Sequence, residues 1–101
     1  MAENMKAENV VLATYGSYNE RRYSRPWLAI IKSGRYDFDA GRAAGYCTEA
    51  SAGDGGDIII RKPATGVVYA HGQKDHRGKG TRIRFAKWDG EKFVECDKAG
   101  R

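Results

Sequence analysis

Two stretches of the chain combine residue types that could hold an anionic ligand. In Tyr15-Gly16-Ser17-Tyr18-Asn19-Glu20-Arg21-Arg22-Tyr23-Ser24-Arg25-Pro26-Trp27, aromatic rings alternate with guanidinium groups. Stacking surfaces and phosphate forks are the two parts of a nucleic-acid groove: a base on an aromatic ring contributes about 1 to 3 kcal/mol, and Arg grips a phosphate through two parallel hydrogen bonds. The candidates are Tyr18, Arg21, Arg22, Tyr23 and Arg25. A second stretch, His71 to Gly80, is polar and glycine-bracketed, and its backbone N–H groups could form an anion nest with charge from Lys74, Arg77 and Lys79. Arg82, Arg84 and Trp88 follow it and extend the candidate set. The alternatives are plain: the tyrosines and Trp27 fill a core, and both loops are merely solvated.

Catalysis has weaker support. His71, His76, Asp75 and Lys74 could form an acid–base group, as in a small basic ribonuclease, but neighbours on a strand point to opposite faces and need not converge. No P-loop, nucleophile elbow, H-E-x-x-H or kinase signature is present. The protein is therefore not expected to be an enzyme. Cys47 and Cys96 are far apart and outside any C-x-x-C arrangement, so two separate thiols are expected, Cys96 packing at a strand end and Cys47 lying in a loop. Structural zinc takes its ligands in close pairs, and only the histidines are close, so neither metal nor cofactor is expected.

The 101 residues are 41% hydrophobic, 31% charged and 11% aromatic, which suits one small globular domain and excludes a fibre or a disordered tail. The net charge of +5 is local. Residues 71 to 88 hold six basic residues against Asp75, a surplus equal to that of the whole chain, and residues 20 to 42 add +3. Residues 43 to 57 carry −3, so a basic side and an acidic loop are expected. No apolar run approaches the roughly 18 residues that span a membrane, and the polar start MAENMKAENV lacks a signal-peptide core; a cytoplasmic location is expected.

The elements that must position these groups are strands. Val10 to Tyr15 is short, β-branched and closed by Gly16, favouring a buried strand; Trp27 to Ile31 follows Pro26 and ends at Ser33-Gly34. Ile58 to Ile60 and Val67 to Ala70, joined through Pro63 and Gly66, read as a hairpin. Thr81 to Trp88 and Glu91 to Cys96 flank Asp89-Gly90, a pair suited to a two-residue type I′ turn. That turn sets Trp88 opposite Glu91, Arg84 opposite Glu95 and Ile83 opposite Cys96. Ile83, Phe85, Val94 and Cys96 then share one face, predicted to be the core; Arg84, Ala86, Trp88, Phe93 and Glu95 share the other, either covered or exposed for binding. Gly41 to Asp57 is small and glycine-rich and reads as a loop, because Gly41 and Gly45 each disfavour helix by about 1 kcal/mol. The expected architecture is an all-β barrel or sandwich of about six or seven short antiparallel strands over residues 9–101, preceded by a flexible segment, residues 1–8.

Tyr15 to Trp27, with the pattern Y-G-S-Y-N-x-R-R-Y-S-x-P-W, resembles a family of small proteins of bacterial phages and prophages. So do Gly72 to Gly78 (G-Q-K-D-x-R-G) and Trp88 to Lys98 (W-D-G-E-K-F-V-x-C-D-K). The resemblance implies a non-catalytic viral protein of the bacterial cytoplasm, a context in which inhibitors of host defence, anti-CRISPR proteins among them, are frequent. A basic protein does not imitate DNA. The expectation is a basic face that engages nucleic acid, a nucleotide or a nucleoprotein effector. The alternative is a protein–protein inhibitor or adaptor docking through a sheet edge and the Trp88/Phe93 face.

Overall fold

The computed structural model describes residues 9–17, 25–48, 55–74 and 81–101. The strands are β1 (Asn9–Ser17), β2 (Trp27–Lys32), β3 (Arg35–Asp37), β4 (Gly45–Thr48), β5 (Gly55–Arg61), β6 (Val68–Lys74), β7 (Thr81–Trp88) and β8 (Phe93–Cys96), with one helix, α1 (Phe38–Ala44), between β3 and β4. They form two antiparallel sheets, ordered β1-β5-β4 and β3-β2-β6-β7-β8. The protein is all-β, as its short β-branched runs imply, with eight strands among the described residues where about six or seven were expected. The segment before Asn9 lies outside the described residues.

The two sheets share one apolar layer. Leu28 and Tyr69 from the five-stranded sheet meet Ile58 and Ile60 from the three-stranded one, with Leu12, Tyr15, Ile30 and Phe93 packed around them. Burying a side chain of this size stabilises the fold by about 1.5 to 3 kcal/mol. β1 is an edge strand of the smaller sheet rather than a fully buried one, and Val11 is 51% exposed. Its register shifts between Val11 and Ala13, leaving Leu12 as an extra residue that still packs on the core.

Three connections differ from the sequence reading. β5 pairs with β1 and β4, whereas β6 pairs with β2 and β7, so Lys62 to Val67 joins two sheets and closes no hairpin. Tyr69 holds this connection by accepting a hydrogen bond from the Ala64 N–H at 3.0 Å. The two-residue turn with both central residues at positive φ is Ser33-Gly34, at 53° and 76°, between Lys32 and its partner Arg35. At the other candidate, Asp89 accepts the N–H groups of Glu91 and Lys92, both at 2.8 Å, which makes a four-residue loop and sets Trp88 opposite Phe93 and Ala86 opposite Glu95.

That two-residue slip preserves face membership, because the side-chain period is two. The predicted inner face is nevertheless the outer one. Ala86 is buried and Phe93 packs edge-on to Tyr69 at 5.7 Å, while Ile83 and Val94 stay 43% and 41% exposed. A second aromatic cluster explains how the outer face tolerates its apolar residues. Tyr36 stacks on Phe38 and Phe85 at 6.0 and 6.4 Å, Trp27 meets Phe38 edge-on at 5.7 Å, and Lys98 Nζ sits 4.6 Å above the Tyr36 ring.

Within the expected 41–57 loop, the described residues belong to α1, β4 and the start of β5. Asp37 caps the helix by accepting the Ala40 N–H at 2.8 Å, and Asp39 and Arg42 stand at the ends that the helix dipole favours. Gly41 lies against β2: a Cβ there would collide with the Leu28 carbonyl oxygen and stand 2.5 Å from Ala29 Cα. The short helix thus covers the part of β2 that β3 does not reach. Cys47 sits in β4 rather than in a loop, and Cys96 closes β8, where burial pushes its thiol pKa up.

Candidate functional site

Three strands cannot roof five. A cleft lies between β1 of the smaller sheet and β6, β7 and β8 of the larger one. One part, of about 300 Å³, lies between Leu12 to Tyr15 on one side and His71, Arg84, Phe93 and Glu95 on the other. An adjoining part of about 310 Å³ is lined by Thr14, Tyr15, Arg82, Ile83 and Arg84. Alternation along β7 sends Arg82 and Arg84 to the same face as inward Ala86, and both arginines are exposed.

The floor of the cleft is neutral. Arg84 pairs across the strands with His71, and Arg82 with Gln73. His71 is only 4% exposed, and its Nδ1 shares a 2.7 Å hydrogen bond with the Tyr15 hydroxyl, the two rings meeting edge-on at 5.8 Å. Burial, and then the neighbouring Arg84 charge, lower the His71 pKa from 6.5 to about 4. Near neutral pH the imidazole is therefore uncharged, and among the described lining residues the exposed charges are the two guanidiniums and the Glu95 carboxylate. The ion pairs among the described residues, Lys32–Asp37 and Arg42–Asp39, leave Arg84 uninvolved. The arrangement can bind an anion through two exposed guanidiniums beside the hydrogen-bonded Tyr15–His71 pair.

Of the residues singled out in the sequence, Arg82 and Arg84 stand together at the cleft. Lys74 ends β6 opposite Thr81, exposed but on the other face of the sheet. Arg25 is exposed two residues ahead of Trp27, which pairs with Gly72, so Arg25, Lys74 and Arg82 share one end of the five-stranded sheet. Trp88 is half-buried at the opposite end of β7, edge-on to Phe93 at 4.9 Å. That pair lies on the core-facing side of the hairpin, with both rings half-buried. Tyr18, Arg21, Arg22, Tyr23, Arg77 and His76 lie outside the described residues. The described residues on either side of 18–24 and of 75–80 belong to the same end of the molecule: Ser17 ends β1 beyond Tyr15, Arg25 precedes β2, and Lys74 and Thr81 are partners.

Tyr15 and Thr14 were missed as site residues. Tyr15 closes an apolar run and reads as packing, and nothing local announces a partner 56 residues away. No family model matches the chain, and neither the curated proteins nor the solved structures contain a match.

Proposed function

We propose that the protein is a non-catalytic binder of nucleic acid, alone or within a nucleoprotein complex, and that Arg82 and Arg84 at the mouth of the inter-sheet cleft hold its phosphates. The observation that carries this reading is the pair of exposed guanidiniums projecting from one face of β7 beside a neutral, hydrogen-bonded Tyr15–His71 pair. Guanidinium suits the task because its planar fork takes a phosphate bidentately and stays charged at every physiological pH. Lys74 and Arg25 add positive charge at the same end of the five-stranded sheet, away from the cleft face. The resemblance to phage and prophage proteins favours a host defence complex as the source of that nucleic acid, with guide RNA or target DNA as the contacted strand.

Fluorescence anisotropy with labelled single-stranded RNA, single-stranded DNA and duplex DNA tests the reading. Affinity should fall steeply between about 50 and about 200 mM salt, because phosphate contacts release condensed counterions. The double variant R82E/R84E should weaken binding at low salt by roughly tenfold or more. Affinity that ignores both salt and this charge reversal refutes the assignment.

A further inference from the structure

A second pocket opens where α1 meets the edge of β2. Its volume is about 440 Å³, within the range of small-ligand sites, and its walls are Trp27, Phe38 and Tyr46 with Arg25 and Arg42 beside them. Each element contributes for a local reason. Asp37 starts α1 so that Phe38, its first residue, leans on Trp27, and the last turn presents Arg42. Gly45 then lets the chain pass so close to the core that a Cβ would lie 2.6 Å from the Ile59 carbonyl oxygen, which fixes where Tyr46 emerges.

Two of the three rings are unusually open: Phe38 is 44% exposed and Tyr46 42%. Large aromatic surface left in water beside basic groups is the arrangement that stacks a base and grips its phosphate. Arg42 is bonded to Asp39, but both side chains are well exposed, and such surface pairs contribute little to stability, so a phosphate can compete for the guanidinium. The shape and charge together favour a flat, anionic occupant.

We infer that this pocket binds one nucleotide unit, its base against Phe38 and Tyr46 and its phosphate between Arg25 and Arg42. The site is separate from Arg82 and Arg84, so the two assignments can fail independently. A free nucleotide and an unstacked base within a single strand present the same chemistry.

The test is calorimetric titration of the whole protein with uridine, adenosine monophosphate, uridine monophosphate, a hexauridylate and the peptide acetyl-Asp-Tyr-Asp, using wild type, Y46A, R42Q and R82E/R84E, each checked for folding by circular dichroism. Y46A should weaken binding roughly 5- to 150-fold, the range spanned by one base–aromatic stack. R42Q should weaken it too, and only for phosphorylated ligands, leaving uridine itself unaffected. Binding of a monophosphate with this sensitivity identifies a free-nucleotide site; binding of the hexauridylate alone, with the same sensitivity, identifies a strand site. If the hexauridylate binds and responds to R82E/R84E but not to Y46A or R42Q, the pocket assignment falls while the cleft assignment stands. The reverse pattern sinks the cleft and keeps the pocket. Preference for the acidic aromatic peptide acetyl-Asp-Tyr-Asp over every nucleotide, or binding of none of these probes, overturns the inference.

Discussion

Acidification should destabilise the fold through His71 before most carboxylates titrate. Buried against Tyr15 and beside Arg84, this imidazole takes up a proton only near pH 4, whereas the unfolded chain takes one up near 6.5. Between those values the unfolded state binds more protons than the folded one, so stability rises with pH across the window. The contribution is fully present above the unfolded value and is lost as pH falls toward the folded one. Working through the two titrations, the loss amounts to about 2 kcal/mol on going from about pH 7 to about pH 5, and to about 3 kcal/mol by complete protonation. The assay is urea unfolding across this range for wild type and His71→Gln, which removes the titration and keeps a hydrogen-bonding side chain. The wild-type curve should fall more steeply than that of the variant by the stated amount. Proton NMR of the imidazole supplies a direct check, and Arg84→Gln should move its midpoint upward while burial keeps it below 6.5. Parallel stability curves for wild type and His71→Gln, or a His71 midpoint near 6.5 in the folded protein, would refute the reasoning.

Other consequences follow from single contacts. Tyr15→Phe removes the hydroxyl and leaves His71 Nδ1 buried without its 2.7 Å partner, so unfolding free energy should drop by about 1 to 3 kcal/mol in urea titration, with the His71 midpoint still low. Gly41→Ala gains helix propensity but drives a methyl into the backbone of Leu28 and Ala29; the clash should win by about 1 to 3 kcal/mol, and an unchanged or raised melting temperature contradicts the packing described for α1.

The all-β class was legible because strand periodicity is local. β-branched runs of four to eight residues bounded by Gly, Pro or Ser specify strands whatever they pair with, and Trp27–Lys32 and Thr81–Trp88 lie close to where the sequence places them. The basic character of β7 was also legible, since Arg82 and Arg84 at a spacing of two must share a face of any strand. Pairing was not. Ile58 to Ile60 and Val67 to Ala70 look like hairpin partners because they are neighbours in sequence, yet β5 pairs with β1 and β4 while β6 pairs with β2 and β7. The turn at Asp89 likewise depended on a side chain: a carboxylate that accepts two backbone N–H groups holds a four-residue loop in place of the two-residue one that Asp-Gly also allows.

The sequence by itself determined strands, charge and the two alternating faces of the β7–β8 hairpin. Only the tertiary structure decided which face looks inward, because alternation is symmetric until a second layer arrives. Phe93 and Ala86 turned inward when Tyr69, Leu28 and the isoleucines of β5 supplied apolar partners, and Phe85 turned outward onto Tyr36. The same event created both candidate sites. A three-stranded sheet too narrow for its partner left Arg84 at an open cleft with His71 beneath it, and a seven-residue helix on the free stretch of β2 gathered Phe38, Arg42 and Tyr46 around Trp27. Those groupings join residues distant in the chain, and local propensity carries no information about them.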